Sequence, residues 1–277
     1  MSDRFFQFSP GRPLSGSGQK RQLGLSLIEL LVAMTLTLLL ALGIGTIYTG
    51  SSQTFRSQED HARIQEAGRF ALDVIGRSVR QAGYRDVSSP NVNPDIAITW
   101  TPITGTNGSG SAPDTIALQY QWTSGDRSCD GDSAGATGNL VRDGYNLDAA
   151  NLELQCDGVI AASPAALGAV PYGEPLVDGI EDLQFLYGID TDADLSANRY
   201  VNAGSVANWG QVVSVKVCVL VHSTRLGSAA SQRYLTCNGA LGEDTTAGND
   251  FAVAGDTSLR RTFIATFNLR NRVASMP

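Results

Sequence analysis

One carboxylate inside an apolar stretch is the side chain in this sequence that is best placed to do chemistry. Glu29 is the only charged residue in the 31 residues from Leu25 to Phe55. A charged side chain inside a membrane-length apolar helix is unfavourable, by about 2.5–3.5 kcal/mol on insertion scales, so it marks a functional position by default. An unpaired charge in such a low-dielectric setting is costly. The pattern therefore predicts a functional role for Glu29.

The other reactive side chains do not form a catalytic set. The two histidines, His61 and His222, have no acid or nucleophile beside them in a recognisable arrangement. The sequence also contains no glycine-rich phosphate loop, HExxH motif or GxSxG motif. We therefore interpret the part of the chain that follows the apolar stretch as non-enzymatic.

Three alternating carboxylates, Asp190, Asp192 and Asp194, form a pattern that suits a metal ion. Carboxylate oxygens in a loop are typical ligands of Ca²⁺, which takes six to eight oxygen atoms. The pattern departs from an EF-hand loop because Leu195 replaces the turn glycine and Val201 stands at the position of the bidentate glutamate. Two interpretations stay open, namely a weak calcium site and a solvated acidic loop, and the sequence favours the loop. No other cofactor is predicted.

The four cysteines, Cys129, Cys156, Cys218 and Cys237, all follow the apolar stretch. No two of them have CxxC spacing, which argues against a zinc site or a thioredoxin-like motif. On the translocated side of a membrane they can be oxidised. We favour disulfides between Cys129 and Cys156 and between Cys218 and Cys237 because each closes a short loop. Free buried thiols are the alternative.

A single long helix is predicted to carry Glu29. About 20 helical residues at 1.5 Å each span the roughly 30 Å of a bilayer core, so the apolar stretch is long enough to cross a membrane. From Phe55 to Ala82 the helical period continues, but the apolar residues form one stripe. Gly83 follows as the predicted C-cap. The first half of this helix is therefore apolar all round, and the second half is amphipathic.

Beyond Tyr84 the sequence predicts a β-rich domain. In the clearest strand, alternate valines from Val213 to Val221 form one face. Polar connections near 104–113, 124–139 and 189–208 are predicted to be loops. The fold class is α+β, with an antiparallel sheet packed on the amphipathic half of the helix. The predicted strands are Thr115–Trp122, Leu152–Cys156, Gly179–Tyr187, Gln211–His222, Arg233–Cys237 and Thr262–Leu269.

The charge distribution indicates how the chain is oriented. The formal charge is −7, and removal of residues 1–24, which carry four basic residues and one acidic residue, would make it −10. An acidic chain gives no evidence for a nucleic-acid surface, which needs clustered lysine and arginine. Lys20 and Arg21 precede the apolar stretch and favour a cytoplasmic N-terminus. Everything after residue 55 is then expected outside the cytoplasm.

The segment Gly24-Leu25-Ser26-Leu27-Ile28-Glu29 resembles the processing site of type IV prepilins. In that family a dedicated peptidase cuts after the glycine and methylates the new N-terminus. The resemblance implies cleavage between Gly24 and Leu25 and methylation of Leu25. Glu29 would then meet the free α-amine of a neighbouring subunit and fix the register between packed helices. The sequence departs from the family in having Leu25 where phenylalanine is usual, and in its long 24-residue leader.

Three further segments look like the PilW-type minor pilins, which are similar to the J-type pseudopilins of type II secretion. They are Arg80-Gln81-Ala82-Gly83-Tyr84, the stretch from Leu176 to Asp190, and Phe267-Asn268-Leu269-Arg270-Asn271-Arg272. The resemblance implies a pilin-like fold. The predicted divisions are a prepilin leader at 1–24, a transmembrane and assembly helix at 25–54, the amphipathic half of the helix at 55–84 and a β-rich periplasmic domain at 85–277.

The function implied by this resemblance is that of a minor pilin in a tip or priming complex of a type IV pilus. Its implied partners are other minor pilins, the major pilin, the inner-membrane assembly platform, the prepilin peptidase and a tip adhesin. The implied location is the bacterial inner membrane, in a single pass with a periplasmic C-terminal domain, and then the pilus fibre.

Three alternatives stay open. The chain could be a type II secretion pseudopilin, or a periplasmic binding module held by a signal anchor from which Glu29 reaches the cytoplasmic interface. A cleaved secretory signal would use the small residues Ala41-Leu42-Gly43. The apolar run beyond Gly43 and the internal Glu29 argue against that last interpretation.

Overall fold

The structure is a computed structural model that describes residues 24, 26–85, 100–108, 112–123, 125–133, 139–161, 173–224, 232–242 and 250–271. The chain divides into two compact units, residues 1–53 and 54–277, which we describe separately. The longest helix, α1, spans Leu27–Gln81 and contributes to both units. Within the second unit, which we call the head, every β-strand that the structure describes lies after this helix.

The head begins with the amphipathic part of α1. Ile64, Ala71 and Ile75 are buried, as the apolar stripe predicted, and most charged residues occupy the other faces. Asp60 is an exception, because it is also buried. The helix ends at Gln81, and Gly83 follows with a φ of +79°, a left-handed conformation that glycine adopts without a steric penalty. The Gly83 N–H then donates to the carbonyl of Gln119, 2.8 Å away. The turn that ends the helix is therefore hydrogen-bonded to a residue of the β-rich part.

The strands of the head form three antiparallel sheets. One has five strands in the order β1-β2-β3-β4-β5, one has four in the order β11-β8-β6-β7, and β9 and β10 form a hairpin. Their bounds are β1 Ile103–Thr106, β2 Thr115–Gln121, β3 Leu140–Asp148, β4 Glu153–Ala161, β5 Glu174–Asp178, β6 Ile180–Ile189, β7 Arg199–Val201, β8 Val212–His222, β9 Arg233–Leu235, β10 Phe251–Val253 and β11 Arg260–Asn268. This architecture confirms the α+β fold class.

Each predicted strand overlaps an observed one, but some bounds and elements differ. The predicted strand Arg233–Cys237 ends at Leu235 because the Thr236 hydroxyl accepts the Gly239 N–H and starts a short helix, α2, at Cys237–Leu241. Five strands were not predicted: β1, β3, β5, β7 and β10. Two of these, β1 and β7, overlap the loops predicted at 104–113 and 189–208.

The main core lies between α1 and the two larger sheets. Val215, Val217, Val219 and Val221 of β8 face it, as the alternation predicted. The prediction was wrong for Val213, because the pairing of β6 with β8 shifts between Gly188 and Ile189, and Val212 takes the inward position instead. The opposite face of β8 is also buried, since Cys218 and Leu220 pack in a second cluster with α2.

Candidate functional site: the apolar helix and its attachment to the head

The part of α1 in the first unit carries its apolar side chains on the outside all the way round. Leu27 and Ile47 are 76% and 73% exposed, and no apolar residue between them is buried. The threonines in this part are satisfied within the helix: the Thr37 and Thr46 hydroxyls donate to the carbonyls of Ala33 and Gly43 at 2.6 and 2.8 Å. By length and composition this helix can cross a membrane.

Glu29 lies in the first turn of this helix and is exposed. The helix begins at Leu27, and the N–H of Leu30 donates to the Ser26 carbonyl at 3.1 Å. A carboxylate is stabilised in the first turn, where the free N–H groups give the helix end a partial positive charge. Gly24 is exposed just before the helix. Leu25, the other half of the predicted cleavage site, lies outside the described residues.

In the head, two glycines of α1 receive two phenylalanine rings of β11. A Cβ atom built on Gly68 would lie inside van der Waals distance of the Phe263 ring, and one on Gly76 would overlap the Phe267 ring in the same way. The spacings match, because eight helical residues rise about 12 Å and four strand residues rise about 13 Å. The helix therefore approaches β11 closely at two points that are four strand residues apart.

The C-terminal end of α1 is capped by a side chain from the end of the chain. The Asn271 amide nitrogen donates to the carbonyls of Arg80, Gln81 and Ala82 at 3.1, 3.2 and 3.4 Å. These are carbonyls that the helix cannot satisfy itself. The Arg80 guanidinium also lies over the Phe267 ring, 5.5 Å from its centre. Two of the segments that resembled minor pilins, 80–84 and 267–272, therefore meet at one junction, and most of the third forms β5 and β6.

A buried carboxyl group lies under the same helix. Asp143 of β3 is 2% exposed and accepts hydrogen bonds from the Ser78 hydroxyl at 3.4 Å and the Cys129 N–H at 3.0 Å. The Ser78 hydroxyl also lies 2.7 Å from the Tyr145 hydroxyl. Burial raises the pKa of Asp143 to about 7, and the charge of Asp130 adds to this effect, while the two hydrogen bonds oppose it.

Both disulfides form as predicted. Cys129–Cys156 joins the segment after β2 to β4, with Cα atoms 6.1 Å apart, and Cys218–Cys237 joins β8 to α2, with Cα atoms 5.6 Å apart. Both lie in the head, so the covalent cross-links constrain the β-rich unit and leave the apolar part of α1 outside them.

The three aspartates of the predicted calcium pattern are close together, with carboxylate oxygens within 4.8 Å of one another. Asp190, however, already accepts three backbone N–H groups of its own loop, from Asp192 at 3.2 Å, Ala193 at 2.7 Å and Leu195 at 2.9 Å. Asp194 accepts the Ser196 N–H at 2.7 Å. These hydrogen bonds organise the loop through its own backbone, and an ion would share the same carboxylate oxygens with these donors.

The sequence did not predict how the second part of α1 contacts the strands of the head. Asn271 caps a helix that ends 190 residues earlier, and no local pattern connects the two. A signal was available for the glycines, because Gly68 and Gly76 repeat at eight residues and Phe263 and Phe267 at four. Asp143 stands in a strand that the sequence did not predict, so its burial was not foreseen either.

Two family models and two known proteins are similar to this chain. A sequence model of the type IV pilus-assembly protein W family matches residues 133–271, and a model of the prokaryotic N-terminal methylation motif matches residues 19–45. The pilin-like protein PilA3 of Thermus thermophilus is 31% identical over 98 residues, which are 35% of this chain and 41% of that protein. A solved type IV-like pilin from Thermus thermophilus is 15% identical, with a TM-score of 0.48, over 76% of this chain and 97% of that one.

Proposed function

Because the chain belongs to the type IV pilus-assembly protein W family, we propose that it is a minor pilin that assembles into the tip or priming complex of a type IV pilus. The observation that carries this proposal is the apolar part of α1, whose side chains are exposed while the hydroxyls of Thr35, Thr37, Thr46 and Thr49 bond to carbonyls of the helix itself. Such a helix is stable in a bilayer or in a bundle of similar helices, and the match to the N-terminal methylation motif, residues 19–45, overlaps its beginning.

In this proposal the chain acts by assembly and not by catalysis. The prepilin peptidase cuts between Gly24 and Leu25 and methylates Leu25. The apolar helix first holds the chain in the inner membrane, with the N-terminus in the cytoplasm and the head in the periplasm. It then packs with the helices of other minor pilins and the major pilin, on the assembly platform. Glu29 pairs with the α-amine of a neighbouring subunit, and the head selects its neighbours, a tip adhesin among them.

The test is the intact mass and N-terminal sequence of the membrane-extracted chain, produced with and without a prepilin peptidase. We expect a chain that begins at Leu25 and carries one extra methyl group only when the peptidase is present. Gly24→Val should abolish the cut, and Gly18→Val, the same change within the leader, should leave it intact. A chain that keeps its leader in the presence of the peptidase, or that begins after Gly43, would contradict the proposal.

A further inference from the structure

A basic recess lies at the C-terminal end of α1. It has a volume of about 330 Å³, and Arg77, Arg80 and Arg270 line it together with Tyr84 and Asn271. The chain as a whole is acidic, with a formal charge of −7, so three guanidinium groups around one recess are a local reversal of charge. The carboxylate of Asp126 also lines the recess, but it accepts the N–H of Thr123 at 3.0 Å.

The last carbonyls of α1 do not depend on these arginines for a hydrogen-bond donor. The amide of Asn271 already caps the last carbonyls of α1. Arg77 pairs with Asp73 at 2.8 Å, but both side chains are more than half exposed, and such a pair contributes little. Within the described part of the chain, neither Arg80 nor Arg270 forms an ion pair. The guanidinium groups are therefore available to a ligand.

A second recess adjoins the first and has a different lining. Its volume is about 450 Å³, and Leu195, Tyr200, Val213 and Leu269 contribute apolar surface to it. Arg270 lines both recesses, so the two share one wall residue. Leu195 is 55% exposed and stands in the loop that Asp190 organises. The pair of recesses thus offers cationic groups beside an apolar surface.

We propose that the two recesses form one docking surface for an acidic segment of another protein subunit. Carboxylates of that segment bind Arg77, Arg80 and Arg270, and a neighbouring apolar side chain enters the second recess. Guanidinium groups suit this role because they bind carboxylates through paired, charge-assisted hydrogen bonds. The identification of the partner as another pilus subunit rests on the function proposed above, whereas the chemistry of the surface does not.

The charges around the surface favour a protein segment over a nucleic acid. A nucleic acid needs an extended basic track, but the basic recess ends at Arg270. Beyond it the described residues that line the second recess include no further lysine or arginine. A phosphate backbone that continued into the second recess would find no cationic partner there. An acidic segment that also carries an apolar side chain matches both linings.

The test measures binding to the full-length chain in detergent micelles. The probes are a short fluorescent peptide of alternating glutamate and leucine and an oligothymidylate of equal charge. We expect the peptide to bind more tightly than the oligonucleotide, and Arg80→Glu/Arg270→Glu to weaken the peptide by at least about tenfold, equivalent to the loss of one good charged contact. Arg261→Glu is the matched control, because Arg261 also lies over a phenylalanine of β11, at 5.6 Å, but outside both recesses.

Three results would overturn this proposal: no binding of the peptide, equal loss in Arg261→Glu, or tighter binding of the oligonucleotide. Arg270→Gln provides a milder variant, and the melting temperature of each variant shows whether the head is folded. The N-terminus of the same samples is determined by mass. A correctly processed chain that does not bind the peptide would refute the docking surface alone, and a peptide-binding chain that is never processed would refute the minor-pilin function alone.

Discussion

The two parts of α1 show how one helix can serve two environments. Around Gly43, Gly45 and Gly50 a Cβ atom would meet nothing within 4 Å, whereas at Gly68 and Gly76 it would strike a phenylalanine ring of β11. In the first part the threonine hydroxyls, such as those of Thr37 and Thr46, bond to carbonyls of the helix itself. In the second part Ser78 bonds to Asp143 of the head.

This difference assigns separate roles to the two parts. A helix with exposed apolar side chains and internally satisfied hydroxyl groups is stabilised by whatever apolar medium surrounds it, and so it can pass between partners. A helix that is capped, packed on rings and joined to buried polar groups belongs to one fixed fold. Changes in the first part should therefore affect assembly, and changes in the second part should affect the stability of the head.

The largest effect is expected from Glu29→Gln. This variant keeps the shape of the side chain but removes the charge that we expect to pair with the α-amine of a neighbouring Leu25. Incorporation into sheared pili should fall by at least about tenfold, since an unpaired buried charge costs several kcal/mol. Cleavage at Gly24 and the melting temperature of the head should not change. Normal incorporation of Glu29→Gln would show that Glu29 does not set the register.

The next effect concerns the buried carboxyl group under the second part of α1. The pKa of Asp143 rises from an ordinary value of 3.8 to about 7 in the folded head, because burial favours the neutral form. The stabilisation from this group is therefore complete below pH 3.8 and is lost as the pH rises through about 7. Over that range the loss is up to roughly 4 kcal/mol in the free energy of unfolding.

Chemical denaturation of the wild type and of Asp143→Asn across this pH range provides the measurement. Asp114 and Asp182 also have raised pKa values because of burial, so they contribute in the same direction, and the lowered pKa of Asp256 contributes in the opposite one. Only the difference between the two proteins isolates Asp143. Asp143→Asn should lose less stability than the wild type as the pH rises. Asp132→Asn, an exposed neighbour, should match the wild type, and equal slopes for all three proteins would refute the prediction.

A smaller effect is expected from the contact between Gly76 and Phe267. Gly76→Ala forces the ring of Phe267 to move, and overpacking of this kind destabilises by about 1–3 kcal/mol. Gly45→Ala is the matched control, because the added methyl group would have no neighbouring atom within 4 Å. Alanine also favours a helix by about 1 kcal/mol over glycine. We expect the melting temperature of the head to fall in Gly76→Ala and to stay constant in Gly45→Ala. Equal melting temperatures would mean that the ring adjusts freely.

The sequence predicted features that depend on local periodicity. The apolar run and the stripe after Phe55 predicted α1, and the alternating valines predicted β8, because these periods are set by backbone geometry alone. The cysteine pairs were also predicted correctly, since each closes a short loop. The strand β3 was not predicted because its residues, LVRDGYNLD, include charged and polar residues that become acceptable only beside β2 and β4.

Features that join distant residues could not be predicted in this way. Asn271 and Arg80 are 191 positions apart, and their contact depends on the register of β11 with β8. The basic recess has the same origin, because Arg270 reaches Arg77 and Arg80 only when that strand ends beside the helix. The inward position of Val212 depends on a bulge in the pairing of β6 with β8. Such features follow from tertiary pairing, which a single sequence does not display.

The smallest expected effect concerns the acidic loop. Both oxygens of Asp190 accept backbone N–H groups, and the Asp192 carboxylate accepts the amide of Asn198 at 3.1 Å. A calcium ion needs six to eight oxygen ligands, and here it would share the carboxylate oxygens with these N–H donors. We therefore expect Ca²⁺ to leave the melting temperature of the full-length chain unchanged. Asp190→Ala should lower it with or without Ca²⁺, because three N–H groups lose their acceptor. If Ca²⁺ stabilised the wild type and Asp190→Ala abolished that effect, the loop would be a metal site. Its stability would then depend on a bound partner, as we expect for the first part of α1.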